Sequence, residues 1–385
     1  MAEKTTADVI IVGGGISGTS TAWQLAQMGV KTLLLERGDL ASMASGWTLA
    51  GVRQSGRHPA ELPLAQAAIR RWEHLNEELG ADVEYRQEGN LRLALTEDDL
   101  PNIRHVVAEG NAAGIAMTLL EGADAVREIA PALTPDLCGA SYCPTDGHAN
   151  PALVTKAFAD AAKRAGAEIR TGVQVLRLVT DGDRVTGVET DDGTLSAGTV
   201  VLAAGIYTPT LLAPLGLEMP ISVTNVAAVQ SVPIPPTLKQ VLGVASGGVA
   251  GRQQVDGRYR FTGSGVPWGE TGPHTADSAN PTVSQVRDAI TRTIRILPSF
   301  ADVRVANVWG GLIDQSPDAL PVFDTPREGI VFAAGFSGHG FCLGPITGEI
   351  LADLATEGET AHPIAPFALS RFAQGAEDAG VTLHG

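Results

Sequence analysis

The stretch DVIIVGGGISGTSTAWQLAQMGVKTLLLER, Asp8–Arg37, decides the fold. Val9-Ile10-Ile11-Val12 is a continuous apolar run, the pattern of a strand covered on both faces. GGGISG follows at Gly13–Gly18. Thr21, Ala22, Leu25, Ala26 and Met28 then recur at helical spacing, with Gly29 as a stop. KTLLLE is a second buried strand that ends at Glu36. Strand, helix and strand in this order form a βαβ unit, whose strands are parallel. Gly13, Gly15 and Gly18 spell G-x-G-x-x-G between the first strand and the helix. Gly13 permits the tight turn, Gly15 lets the backbone approach a pyrophosphate, and Gly18 lets helix and strand pack closely. The helix N-terminus adds free N–H groups and roughly half a positive charge. Glu36, 18 residues beyond Gly18, can accept both hydroxyls of an adenosine ribose and would repel a 2′-phosphate, which disfavours NADP. The motif by itself fits NAD and FAD alike.

Working outward, the same grammar returns twice, near residues 145–210 and 310–360. Asn150 is a good N-cap and Pro151 suits the first helical position, which predicts a helix to Arg164 with Gly166 as its stop. Strands follow near Val173–Val179, Arg184–Thr190 and Thr199–Ala204. Near the C-terminus Gly329–Ala334 reads as a strand. Gly335, Gly338, Gly340 and Gly344 make a second glycine-rich loop ahead of a helix predicted over Pro345–Leu354. Such a loop suits another polar part of a large ligand, such as the electron-rich edge of a flavin. The intervening pieces read differently. Glu61–Leu79 is predicted as one amphipathic helix ended by Gly80. Val83–Leu95 alternates like two strands around Glu88-Gly89-Asn90. Helices are expected near Glu97–Ala113, Ala123–Ile129 and Val283–Leu297, and an antiparallel sheet over 221–265. The architecture expected is α/β: a dinucleotide-binding Rossmann-like domain built from residues 1–82, 145–215 and 306–385. The second domain, a substrate domain with a mixed or antiparallel sheet, is built from 83–144 and 216–305.

Composition narrows the function. The 385 residues suggest two or three compact units. A net charge of −16 repels phosphate backbones and anionic membranes, so no nucleic-acid partner is expected. The 44% of apolar residues suffices for a sizeable core. Three cysteines, Cys138, Cys143 and Cys342, form neither a disulfide framework nor a zinc spacing, so no metal is expected and a reducing, cytoplasmic setting fits. No apolar signal core precedes Asp8, and Pro209, Pro214 and Pro220 break the one long apolar stretch, so no membrane span is expected.

Four stretches together resemble the D-amino acid oxidase superfamily of FAD enzymes, in the branch of glycine oxidase and sarcosine oxidase (monomeric and β-subunit). They are Asp8–Arg37, DGHANPALVTKAFADAAKRAGAEI at 146–169, GTLSAGTVVLAAG at 193–205, and the pair VWGGLIDQSPDALPVFD (308–324) and GIVFAAGFSGHGFCLGPITGEILADL (329–354). The resemblance runs through nearly the whole chain, and its last pair is the most specific part. It implies a glutathione-reductase-type FAD domain that is discontinuous in sequence, roofed by a substrate domain. It implies an EC 1.4 or 1.5 type oxidase or dehydrogenase, in which hydride passes from a small amino acid or secondary amine to flavin and the imine hydrolyses. Relatives with covalent flavin carry Cys where this chain has Gly311, or His at Thr48, so FAD is expected to be non-covalent. The monomeric sarcosine enzymes hold the substrate carboxylate with a Lys where this chain has Cys342. Their oxygen-activating Lys aligns with Val266–Trp268, and no Lys follows Lys239. The acceptor is thus O2 or an electron-transfer partner, and homo- and hetero-oligomers both stay open.

The resemblance assigns roles. Arg53 would hold the substrate carboxylate with its planar fork of donors, with Arg57 and His58 as nearby substitutes. His339 would line the substrate pocket or donate to the cofactor, and Cys342 would line the pocket. Trp309, Trp268 and Tyr259 would wall it. Ile16 and Ser17 join the first glycine turn; Arg37, Ser42 and Ser45 join the loop after Glu36, near the phosphates. Val175 or Val173 would meet adenine through backbone atoms. Ala204, Gly205, Gly311, Gly335, Gly338, Gly340 and Phe341 complete the cofactor-facing set. Two alternatives stand beside amine oxidation: a 2-hydroxy acid dehydrogenase with His339 as base, or the catalytic subunit of a multi-subunit amine or opine-type dehydrogenase.

Overall fold

The computed structural model describes residues 6–269 and 279–373; the outer ends of the expected first domain, 1–5 and 374–385, lie outside them. The apolar run of the opening stretch forms the strand Ala7–Val12, followed by the helix Ile16–Gln27 and the strand Thr32–Glu36. Ala7–Val12 lies between Thr32–Glu36 and the strand Gly193–Leu202, parallel to both. Glu168–Thr171 extends the parallel set on one side and Ile330–Ala334 on the other. Val322–Arg327 closes that edge antiparallel.

Both faces of this first sheet are covered, which is why its strands are apolar without alternation. Val9, Ile11, Leu34 and Val331 face a core shared with three helices, Ile16–Gln27, Pro151–Arg164 and Gly340–Thr356. Ile10, Val12, Leu33 and Phe332 face the other way. There the hairpin Val175–Asp181 and Arg184–Thr190 supplies Leu178, Val185 and Val188. Each such side chain contributes about 1.5–3 kcal/mol by leaving water.

The second sheet has eight strands. In spatial order they are Val305–Gln315, Ser222–Ser231, Tyr259–Pro267, Ala250–Gln253, Val241–Val244, Asn90–Ala94, Gly139–Cys143 and Thr118–Glu121. All neighbours are antiparallel except Val241–Val244 and Asn90–Ala94. The helix Val283–Ile296 packs Ala289 and Ile296 into its core with Tyr259, Phe261 and Phe300. Val305–Gln315 is hydrogen-bonded along its length to Ser222–Ser231, so this strand belongs to the second sheet although sequence grammar groups it with the first.

Asn150 caps its helix as read, its side chain accepting from the Leu153 N–H at 3.2 Å. Other expectations need correction. The helix expected over Glu61–Leu79 is two, Leu62–Trp72 and Leu75–Leu79. The second is drawn aside, with Asn76 accepting from Val83 N–H and Leu79 carbonyl accepting from Arg164. The expected pair of strands over Val83–Leu95 is one, Asn90–Ala94, with a single bridge from Arg86 to His148. The final helix starts at Gly340 rather than Pro345. Gly340–Gly344 are held helical from outside: a Cβ on Gly344 would sit 2.7 Å from Ile16, and Trp72 Nε1 donates to Cys342 carbonyl at 2.8 Å. Pro345 then leaves only one helical hydrogen bond unmade.

Candidate functional site

Two cavities of about 240 and 250 Å³ lie end to end between the sheets. They share a wall that includes Gly15, Ser45, Ala203, Gly205 and Asp314, and so form one elongated path. Glu36, Arg37, Ser42, Val173 and Val175 stand at one end. Trp47, Thr48, Leu49, Arg53, Gly311 and His339 stand at the other.

The glycines at the waist behave as their spacing requires. Gly13 has φ +113°, which L side chains rarely adopt, and a Cβ there would lie 2.4 Å from the Ala203 carbonyl oxygen. A Cβ on Gly18 would meet the Gly13 carbonyl at 2.0 Å, so Gly18 serves helix–strand packing and is not part of the cavity wall. Gly15 is the N-cap of Ile16–Gln27 and lines both cavities. Ser45 Oγ accepts the Ile16 N–H at 2.9 Å, tying the loop after Glu36 to the helix start. Ile16 and Ser17 line the second cavity, and Ala204 the first.

Glu36 has a structural role that spacing did not reveal. Its carboxylate accepts the Gly14 N–H at 2.6 Å and the Gly38 N–H at 2.7 Å. It thereby fixes both turns around the first cavity. Arg37 lies over the Tyr207 ring, 3.9 Å from its centroid, and donates to its hydroxyl at 2.7 Å. That pair forms a cover on the same cavity.

The C-terminal glycine loop meets the path at Gly338, His339, Gly340 and Phe341. Gly335 does not line it. Its N–H is taken by Asp314 Oδ2 at 2.6 Å, and the Ser337 N–H by Asp314 carbonyl at 2.9 Å. Asp314 is a residue sequence reasoning missed. Burial lifts its pKa to about 6, against the pull of its backbone hydrogen bonds.

Three arginines stand on the second cavity: Arg53, Arg57 and Arg92. Gly56 separates two of them; a Cβ there would be 3.4 Å from both Arg53 Nη1 and Arg92 Nη1. Arg53 donates to Ser55 carbonyl at 3.0 Å. Among the described residues no carboxylate lies within 4 Å of its guanidinium. Burial, then Arg57 and Arg92, lower its pKa to about 9, so it remains a cation at neutral pH. Arg57 is paired with Glu61 at 3.5 Å. Glu61 is fully buried, and its other oxygen meets His339 Nδ1 at 2.9 Å. Burial opposes the charge on Glu61, but His339 and Arg57 hold its pKa at about 2. Burial and Arg57 push His339 down to about 4. An ionised Glu61 and a neutral His339 put the imidazole proton on Nδ1 and leave Nε2 an acceptor. Nε2 has no hydrogen-bond partner among the described residues. Asp146, also fully buried, accepts from Ser55 Oγ and from the Gln54 N–H at 2.8 Å. It anchors the turn that carries Arg53. Glu61 reads as the polar start of a helix, and Asp146, although it opens the family-like stretch 146–169, was assigned no role from the sequence.

Several expected residues lie elsewhere. Cys342 lines neither cavity: its thiol clasps the Arg53 main chain, accepting from its N–H at 3.3 Å and donating to its carbonyl at 3.4 Å. The helix starting at Gly340 turns it into the core. Tyr259 belongs to the second core, bonded to Thr237. Trp268, whose backbone N–H joins Val223, is not in either wall. His58 is exposed and accepts from the Ala60 N–H. Trp309 reaches the site only indirectly, donating to Trp47 carbonyl at 3.2 Å.

An extended dinucleotide fits this path. Gly13, which has no room for a Cβ, and Gly15 line it at the start of the first helix, the acid that ends the second strand stands at one end, and the second glycine loop stands at the other. The comparisons agree. Residues 8–354 match the model of the DAO family, FAD dependent oxidoreductase. The β subunit of sarcosine oxidase from Arthrobacter sp is 30% identical, over 97% of this chain and 92% of that protein. The solved L-proline dehydrogenase from P. horikoshii superposes with a TM-score of 0.88 at 27% identity, covering 97% of this chain and 99% of that one. The solved glycine oxidase from Geobacillus kaustophilus gives 0.87 at 26%, covering 96% and 99%. The chain belongs to the DAO family of FAD-dependent oxidoreductases. Among the described residues no helix is long and apolar enough to cross a membrane.

Proposed function

We propose that the protein oxidises the carbon–nitrogen bond of a small amino acid or N-substituted amino acid whose carboxylate is held by Arg53, with FAD bound non-covalently. The observation that carries this reading is Arg53 itself. It is a half-buried, partly desolvated cation on the wall of the cavity with no ionic partner among the described residues, a cost that a substrate carboxylate offsets by a bidentate, charge-assisted pair.

When bound, FAD accepts the hydride that leaves the substrate carbon. The remaining work falls to this chain. Arg53 fixes the carboxylate and so the orientation of the C–H bond. Neutral His339, with its proton on Nδ1 toward Glu61, offers Nε2 to an N–H of the substrate amine. The imine leaves and is hydrolysed by water to a carbonyl compound and an amine or ammonia. Burial and Arg57 hold His339 below the usual imidazole range, which weakens it as a general base for an alcohol and favours an amine over a 2-hydroxy acid. Among the described residues no lysine lines either cavity, which favours an electron-transfer partner over O2 as acceptor.

Product analysis tests this directly. Turnover with an artificial dye is expected to release ammonia from a primary amino acid, or formaldehyde from an N-methyl one. Acid precipitation is expected to leave a colourless pellet and free FAD in solution, since Thr48 and Gly311 border the second cavity and Cys342 does not. A 2-oxo acid formed without ammonia or amine overturns the substrate reading; a yellow pellet overturns the non-covalent one.

A further inference from the structure

Trp47, Thr48 and Leu49 line the second cavity with their neighbours; within their own segment the Trp47 and Thr48 N–H groups donate to the Met43 and Ala44 carbonyls and the Ala50 N–H donates to Thr48 Oγ1, while their own carbonyls are met from outside. The helix Ala44–Trp47 has four residues, none of them buried, and the strand that follows, Gly51–Val52, has two. A helix end leaves its last carbonyls without intrahelical donors. Here three consecutive carbonyls receive donors from three different strands of the second sheet. Trp309 Nε1 donates to Trp47 carbonyl at 3.2 Å. Arg260 Nη1 donates to Thr48 carbonyl at 2.8 Å. Arg252 Nε donates to Leu49 carbonyl. Arg252 continues to Ala149 carbonyl at 2.8 Å and to His148 Nδ1 at 3.0 Å.

The arrangement is costly for a sheet, which suggests that it serves something else. Arg252 and Arg260 face each other in register on neighbouring antiparallel strands, where like charges destabilise. Arg252 is 2% exposed. Among the described residues neither arginine has a carboxylate within 4 Å. Among the described residues Arg252 meets two carbonyls and an imidazole nitrogen that must be unprotonated to accept. Arg260 meets Thr48 carbonyl and stands 5.1 Å from the Trp309 ring centre, an attraction that holds the two donors together. Gly311, on the strand of Trp309, leaves its missing Cβ 3.8 Å from Trp47 Cβ, so Trp47 rests against that strand.

We propose that Trp309, Arg260 and Arg252 are positioning residues for FAD. They lock the main chain of Trp47–Leu49 onto the second sheet and so set the wall against which the cofactor seats, although none of the three lines the cavity. Cofactor affinity thereby depends on the domain that does not carry the glycine motif. The inference rests on FAD occupying this path.

The test is FAD titration into the apoprotein, followed by quenching of flavin fluorescence, beside thermal unfolding of the same apoprotein. Arg260→Met and Trp309→Phe each remove one donor and keep most of the volume. Each is expected to raise the FAD Kd roughly tenfold, the effect of losing one ordered hydrogen bond to a charged or aromatic donor. The apoprotein Tm is expected to stay near that of the wild type, and Arg260→Lys, which keeps one donor, to recover part of the affinity. An unchanged Kd in both variants overturns the proposal. So does a Kd that rises only in step with a falling apoprotein Tm, which is the mark of a merely structural role. Arg252→Met is the third variant; if it fails to fold, the other two decide. A wild-type apoprotein that takes up no FAD counts against the cofactor path, a separate outcome from unchanged variants of a protein that binds it.

Discussion

Arg53→Met is expected to lower kcat/KM for the amino-acid substrate by at least about 30-fold, most of it through KM. Losing one partner of a buried, hydrogen-bonded charge pair costs about 2–5 kcal/mol in comparable interfaces, and each 1.4 kcal/mol is about tenfold. The loss should fall on binding because the carboxylate is gripped equally before and during hydride transfer. The fold should survive. The Arg53 main chain is held by the Cys342 thiol and by Arg57 Nε, which donates to Arg53 carbonyl at 3.1 Å; none of these bonds uses the Arg53 side chain. Removing a desolvated cation among like charges should even leave the apoprotein as stable as before, or more so. Steady-state kinetics with the dye acceptor and urea unfolding of the apoprotein check both halves. Unchanged kinetics would remove Arg53 from the substrate site.

The second large effect is on stability. Glu61→Ala strips the shared anion from Arg57 and His339, all three of them buried. Breaking a buried pair from one side costs about 3–5 kcal/mol, because the cation left behind stays desolvated. The pH dependence identifies the group. Glu61 titrates at about 2 when folded and near 4.5 otherwise, so its contribution is complete above about pH 4.5 and is lost as the pH falls toward 2. The gap between wild type and Glu61→Ala should therefore persist at pH 5 and close only below that range. Two other buried groups shape the wild-type curve. His339, lowered from 6.5 to about 4, contributes fully above pH 6.5 and loses its contribution as the pH falls through 4. Asp314, raised from 3.8 to about 6, works in the opposite sense and loses its contribution as the pH rises through 6. Urea unfolding across this range measures the balance. A gap that has closed by pH 6 would assign the stabilising charge to some other group.

The cofactor half of the site was legible because its requirements are local. A strand, three glycines at fixed offsets, a helix and a terminal acid lie within Asp8–Arg37, and each residue type answers a constraint set by its immediate neighbours. The substrate half was legible only in part. Arg53 was singled out through its family context and lies on the cavity wall, but the groups around it come from afar: Asp146 is 91 residues beyond Ser55, and His339 is 278 beyond Glu61. No periodicity or spacing encodes such pairs. Cys342 was misplaced for a related reason. Pro345 reads as a helix start, which leaves Cys342 in a loop facing the flavin. Packing of Gly344 on Ile16 starts the helix at Gly340 and rotates the thiol into the core. Trp309 shows the same limit from the other side: it was read as a wall of the pocket, and it acts one carbonyl away from it.

Anaerobic titration of the FAD-loaded protein with amino acids, N-methyl amino acids and 2-hydroxy acids tests the central claim most directly. An amino acid or N-substituted amino acid is expected to bleach the oxidised flavin band of the wild type, and Arg53→Met is expected to need a far higher concentration for the same bleaching. Bleaching by 2-hydroxy acids alone, or by amines without a carboxylate as readily as by amino acids, would contradict the account.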